Sequence, residues 1–597
     1  MAAALWLSVA LAAAPVMPVD DVRSGARGQC LTVFEGTEIE PMDFTVKGVM
    51  PDFLGPGSDL VLVRLLGEKP EFTGVVAGMS GSPCSIDGKL LGALAYAFGT
   101  FPKEPIAGIT PIAGMRDALD APADGRPWRL PVDASRAVSL PPAAATEPAE
   151  LAGNTRFWEA VARGEAPASS ATPAAEQLRP IAAPLSIGGM TPAIQQHFAP
   201  MFRAMGFVPV QGGAASGKPT KPRPLEAGAP VAAVLVRGDV DIAATGTVTS
   251  VRDDAVLAFG HPFFGAGPVS LPMANATILN TMASQLRSYK MSVTGATVGE
   301  VTQDRLTAIG GYVGRRPKMI PVAGSIKTPA GEQQFTFEVA RDLNLSPRFI
   351  AVGLANSLSG RVDAGQRGTL RFRATVKAEG LEPLRMENVY ASERNAALFV
   401  QPAIRVARAV ATMWKTPFGP PPPISVQVDA RYEPQPIEER IESLTADRSV
   451  VRPGEAVVLE ARLRRDNGGI KHVRFRVPAA ESWAGETLRF LVSGARGANQ
   501  LQQALAGRPQ PRSLEDIRHW LAERRSDGYL YLQGVGKGTG MRVGTRYLPF
   551  LPPSVVAALS AGPDRAIRSR GLVWDERAAR PGIVKGQAGV SVRVMPY

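Results

Sequence analysis

Residues 78–89 read GMSGSPCSIDGK, which sets Ser80 between Gly78 and Gly81, ahead of a short apolar run and the dipeptide Asp87-Gly88. Gly, Ser and Pro gather in turns for ordinary backbone reasons, so a surface loop is the plain reading. The sharper reading is nucleophilic chemistry: a hydroxyl exposed on a tight turn, with the N–H groups of Gly78 and Ser80 converging as an oxyanion hole. A serine hydroxyl attacks poorly unless a neighbouring base, most often histidine, takes its proton. The chain has four histidines. His472 shares a strand face with Arg474 and Arg476, His519 sits on a charged amphipathic helix, and His197 follows two glutamines in another helix, so each reads as a surface residue. His261 differs. It follows the apolar run AVLAF and enters FGHPFFGAGP, a Gly/Pro-rich turn suited to aiming a ring into a cleft. A half-buried histidine satisfied by a backbone carbonyl is the competing reading. The two residues are 181 positions apart, so only the fold can join them.

Strands must do the positioning. QCLTVFEGTEIEPMDFTVKG at 29–48 reads as two strands around a turn at Glu35–Gly36, and DLVLVRLL at 59–66 as a third. CSI and KLLGALAYAF flank Asp87-Gly88, the dipeptide favoured by a type I′ hairpin. Strands return in PVAAVLVRG, ATGTVTSV, AVLAFGHPF and TVGEVTQDRLTAIGGYVG. Between these halves the composition turns to Ala, Pro and Glu, which predicts an exposed linker with short helices at FWEAVARG and TPAIQQHFAPMFRAMG and a flexible tract at 212–224. Past 345 one helix is predicted, at 394–414, among alternating strands such as TLRFRATV, ISVQVDARY, AVVLEARLR and VSVRVMPY. The expected units are residues 1–16 (signal peptide or N-terminal anchor), 22–118 (serine half), 119–227 (linker), 228–345 (histidine half), 346–424 (connecting module) and 425–597 (sandwich-like domain).

At 597 residues the chain exceeds one hydrophobic core, and 45% hydrophobic with 20% charged residues fits globular protein. The net charge of +12 raises nucleic acid or an anionic membrane as partners, but the arginines are scattered and no nucleic-acid module is recognisable, so no nucleic-acid partner is expected. MAAALWLSVALAAAPVMPVDD resembles an export signal, with no basic residue ahead of its apolar run, and implies a periplasmic, envelope or extracellular location. The two cysteines, Cys30 and Cys84, either pair or serve as buried thiols. No Cys/His cluster has metal-ligand spacing, and no cofactor or metal is expected.

GMSGSPCSIDGKLLGALAYAF resembles the serine-bearing segment of the SpoIVB-type sporulation peptidases, the fifty-fifth serine peptidase family. The 29–49 strands resemble those that precede it there, and ATGTVTSVRDDAVLAFGHPF with EVTQDRLTAIGGYVG resembles the histidine half. The resemblance covers residues 25–115 and 228–320 and implies a mainly β, trypsin-like double β-barrel, followed here by C-terminal β-sandwich modules. It carries Ser80 over as nucleophile and His261 as general base. In the family the histidine half comes first; here the order of halves is exchanged. The family's aspartate has no match: residues 60–79 contain no Asp, and Leu65 stands at the position. Glu68 is the candidate orienting carboxylate, with Glu71 or the more distant Asp59 as substitutes. Asp253 and Asp254 read as a solvated hairpin tip, and Asp304–Arg305 as an ion pair near a strand end. An exported endopeptidase acting on protein or peptide substrates, with self-cleavage in the 119–187 or 212–224 tracts, is the leading expectation. A catalytically silent envelope scaffold that binds peptides is the alternative, and an unrelated β-sandwich adhesin or carbohydrate-binding module the third.

Overall fold

In the computed structural model the described residues are 15–98, 103–121, 155–165, 178–205, 207–212, 221–362, 367–392, 395–419, 421–506, 511–543, 545–548, 551–561 and 567–596. Residues 1–14 of the candidate export signal and most of the two linker tracts lie outside them. Strand makes up 51% and helix 21%, so the class is mainly β.

The serine half is built from β1 (Arg27–Thr32), β2 (Glu40–Gly55), β3 (Ser58–Leu65), β4 (Ser82–Ile86), β5 (Lys89–Ala97) and β6 (Ile106–Pro111). Neighbours run β4-β1-β2-β3-β6-β5, and β5 pairs back onto β4, which closes an antiparallel six-stranded barrel. Closure pairs these strands around the barrel except along β5 beyond Leu94, where β4 no longer pairs, and turns one face of each inward. That interior is filled by Phe44, Val46, Val63, Leu94 and Ile109. Asp87 and Gly88 both have positive φ, 51° and 72°, the backbone a type I′ hairpin requires.

The histidine half repeats the plan. Its strands are β10 (Pro230–Gly238), β11 (Asp241–Arg252), β12 (Ala255–Ala258), β13 (Gly267–Met282), β14 (Tyr289–Arg305) and β15 (Ala308–Val313). They neighbour as β10-β13-β14-β15-β12-β11, and β11 returns to β10. Counted within each half, both barrels close in the order first, second, third, sixth, fifth, fourth. Ser80 lies on the third-to-fourth connection of its barrel, and so does His261.

Beyond the second barrel, β17 (Gly331–Ala340) bonds β10 and leads through β16 (Met319–Thr328) into β20 (Ile424–Glu433), β18 (Gly368–Ala378) and β19 (Leu384–Ser392). Two packed helices accompany this sheet, Leu345–Ser359 and Asn395–Trp414. The second was expected; the first was not. Its residues are almost all buried, so it lacks the polar face that marks an amphipathic helix in sequence. Residues 424–433 also belong here and not to the C-terminal domain. That domain, from Glu438 onward, is a sandwich of a four-stranded and a six-stranded sheet around Leu459, Phe475, Phe490 and Leu532.

The 119–227 expectation needs correction. The helices at Thr155–Arg163 and Pro192–Ala204 are present, but residues 178–188 are not a loose linker: apart from exposed Pro180 they are buried or half-buried, mostly in two short strands. They form β7 (Arg179–Pro180) on the serine barrel and β8 (Pro184–Gly188) on the histidine barrel, because both barrels leave strand edges there to be paired. No helix among the described residues is long and apolar enough to cross a membrane.

Candidate active site

The serine turn is pressed into the seam between the barrels. The carbonyl of Ser80 accepts from the Thr247 N–H at 2.8 Å, and the Thr247 carbonyl in turn accepts from the Phe259 N–H at 3.4 Å, two residues before His261. Thr247 Oγ1 donates to the Gly78 carbonyl at 3.0 Å and Thr249 Oγ1 to the Gly81 carbonyl at 2.7 Å. The alternating threonines of ATGTVTS on β11 therefore satisfy three carbonyls of the serine turn from the opposite barrel. Gly81, at φ +96°, has no room for a side chain: a Cβ there would lie 1.9 Å from the Thr247 carbonyl oxygen and 2.5 Å from the Phe259 nitrogen. This close approach, with the positive φ at Gly78 and Gly81, is why glycines flank the serine.

The histidine turn docks in return. Thr110 Oγ1, on β6 of the serine barrel, donates to the Gly260 carbonyl at 2.7 Å. A Cβ on Gly260 would fall 2.8 Å and 2.9 Å from the Cβ atoms of Ala93 and Ala95 on β5. Phe259, fully buried, holds φ at +70°, a conformation that costs a bulky residue about 1–3 kcal/mol. Its ring, locked against Gly246, keeps it there. Strain held by packing immediately before His261 marks a turn whose shape matters.

His261 is 3% exposed and Ser80 0%. Nδ1 of His261 lies 2.8 Å from the Pro262 carbonyl oxygen, which can only accept, so the neutral ring carries its proton on Nδ1 and leaves Nε2 basic. Nε2 has no hydrogen-bond partner, and neither has Ser80 Oγ. The fold thus brings both groups to one seam without a hydrogen bond between them. Burial pushes the imidazole pKa down to about 4; the main-chain acceptors of Pro262 and Ile181 pull it back up. Among the described residues no acceptor takes the N–H of Gly78 or of Ser80. Met79, between them, is buried in the serine-barrel core.

Glu68 does not orient His261. It is exposed in the first turn of the helix Glu68–Thr73, and the ring position it was expected to fill is taken by the Pro262 carbonyl. Glu71 faces Arg64 at 3.9 Å, and Asp59 accepts from the Asp52 N–H at 3.0 Å. Asp253 and Asp254 form the exposed hairpin tip as expected. The other histidines have partners: His197 the Val161 carbonyl, His472 Glu460 and His519 Glu523.

Two residues take a larger part than their sequence context suggested. Asp304, 1% exposed on β14, accepts from the N–H groups of Phe263, Phe264 and Ala266 at 2.7, 2.7 and 3.2 Å, clamping the loop that follows His261. Burial raises its pKa against the opposing pull of those amides. The available signal was an acid on a buried strand beside FFGAG, a loop rich in amides needing acceptors. Lys290, also on β14 and 1% exposed, runs its stem beside Gly78 and donates from Nζ to Thr32 Oγ1 at 2.7 Å. Burial pulls its amine down to about 7. Cys30 and Cys84 are disulfide-bonded and tie β1 to β4 four residues past Ser80. Among the described residues no group of His, Cys, Asp and Glu could hold a metal ion.

No protein-family model, curated protein or solved structure matches the chain.

Proposed function

We propose that the chain is an exported serine endopeptidase of SpoIVB type, acting by acyl transfer on protein or peptide substrates. The observation that carries this reading is the meeting, at one inter-barrel seam, of two buried and unpartnered reactive atoms, Ser80 Oγ and His261 Nε2, beside two free backbone N–H groups. In the reaction Ser80 Oγ attacks the carbonyl carbon of the scissile peptide while His261 Nε2 takes the hydroxyl proton. The oxyanion forms against the N–H groups of Gly78 and Ser80. The same imidazolium then protonates the leaving amine, and water repeats the sequence on the acyl-enzyme. The Pro262 carbonyl fixes the tautomer as an aspartate would, but as a neutral acceptor it stabilises the imidazolium less, so slow turnover is expected. The disulfide supports an oxidising compartment, and hence export or envelope association.

The missing carboxylate and the full burial of Ser80 support a second reading, a catalytically silent scaffold that binds peptides. A fluorophosphonate probe separates the two. An active enzyme is labelled on Ser80, loses the label in Ser80→Ala, and is labelled at least about a hundredfold more slowly in His261→Ala. Prolonged incubation should also cut the chain within the 119–187 or 212–224 tracts. A well-folded chain that takes no label favours the scaffold.

A further inference from the structure

An identifiable piece of the chain runs past both His261 and Gly78 of the Ser80 turn. On the serine barrel, β4 pairs with β5 only as far as Ser82 opposite Leu94, so the edge of β5 beyond Leu94 is vacated at the position of the serine turn. Residues 179–181 fill it. Arg179 pairs with Ala97 and Pro180 with Tyr96, antiparallel, and the Ile181 N–H donates to the Ala95 carbonyl at 2.8 Å. The Ile181 side chain is 4% exposed and joins the serine-barrel core, while its main chain lies against the His261 ring. The chain then crosses the seam through Ala182 and buried Ala183, and Pro184 enters β8 with Cγ 3.3 Å from where a Gly78 Cβ would stand. One short extended strap therefore lies over the base on one side and the oxyanion amides on the other.

An unpaired strand edge beside a reactive serine is a docking rail for an extended peptide: main-chain hydrogen bonds supply affinity, and alternate side chains supply selection. We propose that the edge of β5 beyond Leu94 is the peptide-docking edge of the Ser80 site and that Arg179–Pro184 is its resident occupant, which has to move aside before an outside peptide reaches Ser80. The peptide class follows from the occupant: an extended, aliphatic, proline-bearing segment of the Arg-Pro-Ile-Ala-Ala kind. The inference rests on the peptidase reading of Ser80 and His261, and its test is built so that either can fail alone.

The probe is a fluorescein-labelled heptapeptide copying residues 178–184, titrated by anisotropy into the full chain carrying Ser80→Ala. Chains with the native strap and with Ile181→Asp are compared, the latter placing a charge in the apolar seat. At least tenfold tighter binding to the strap variant is expected, and equal affinity overturns the proposal. Ile181→Ala, with a smaller gain, serves if the charged variant does not fold. On the native chain, excess peptide should speed hydrogen exchange of the Ile181 amide at least tenfold, and unchanged exchange likewise overturns it. Fluorophosphonate labelling of the same strap variants with Ser80 intact distinguishes the two ideas. Peptide binding without labelling in any variant sinks the peptidase and keeps the docking edge. Equal labelling with no gain in peptide binding does the reverse.

Discussion

The two barrels share one wiring and present their reactive residue on the same connection, yet they hold it by opposite means. The serine turn is held from outside: Thr247 and Thr249 of the histidine barrel satisfy the carbonyls of Gly78, Ser80 and Gly81. The histidine turn is held mostly from within, by Asp304 of its own barrel on three amides and by the strained, buried Phe259. Thr110 adds one bond from the partner barrel. The geometry of the Ser80 turn therefore depends more on barrel docking, and that of the His261 turn more on its own barrel. A serine barrel alone would keep its strands, its disulfide and the bonds of Gly81 to Leu94 and of Ser82 to Met79, but lose the donors on the carbonyls of Gly78, Ser80 and Gly81.

The severest way to break this contrast is at the glycines. Gly81→Ala drives a Cβ into the Thr247 carbonyl, which is backbone and cannot step aside, at a φ that L residues avoid. A loss on the order of 4 kcal/mol or more is expected in denaturant melts, together with loss of Ser80 labelling. Gly260→Ala also falls at a positive φ, +71°, but its close contacts are two alanine methyl groups, 2.8 Å and 2.9 Å away, in place of backbone, and it should lose less, about half as much. Equal losses from the two would contradict the tighter clamp on the serine turn.

Acid tests the histidine barrel next. His261 titrates near pH 4 in the fold against an ordinary 6.5, so between those values the unfolded chain binds a proton that the folded chain refuses. Stability is then full above pH 6.5 and falls as the pH drops toward 4, by on the order of 3 kcal/mol. His261→Gln should lose that much less than the native chain between pH 7 and pH 4. Parallel losses would mean the ring is not held neutral.

The mildest expected effect comes from Asp304→Asn, which removes the charge from three amide hydrogen bonds and turns one acceptor into a donor. A cost of about 2 kcal/mol is expected, with roughly tenfold slower Ser80 labelling. The Thr247 amide, which reaches from the histidine barrel to the Ser80 carbonyl, should keep its hydrogen-exchange protection. Its loss would show that the two turns are not held separately.

Much of this was legible from local pattern. Asp87-Gly88 announced its hairpin, the alternating runs announced their strands, and Ser80 and His261 stood out because their residue types and Gly-rich turns suit chemistry more than packing. Other features were hidden for physical reasons. The helix Leu345–Ser359 is apolar on every side, which erases the periodicity that reveals a helix. The Ala/Pro-rich composition around 178–188 spoke for a linker, but composition carries no information about which strand edges elsewhere stand vacant. Glu68 was proposed because the family's aspartate lies on the segment that leads into the serine turn, whereas the partner of His261 is its own neighbour's carbonyl.

The sequence by itself determined most of the strands, the turns and the choice of Ser80 and His261 as candidate reactive side chains, since periodicity, glycine placement and residue chemistry act over a few positions. Tertiary structure alone decided the rest: the closure of both barrels, the Cys30–Cys84 bond, the threonine grip on the serine turn, the Pro262 carbonyl at His261 Nδ1 and the strap between His261 and Gly78. Each of these depends on which atoms meet across long loops, and that is settled by closure, burial and shape acting on the whole chain at once.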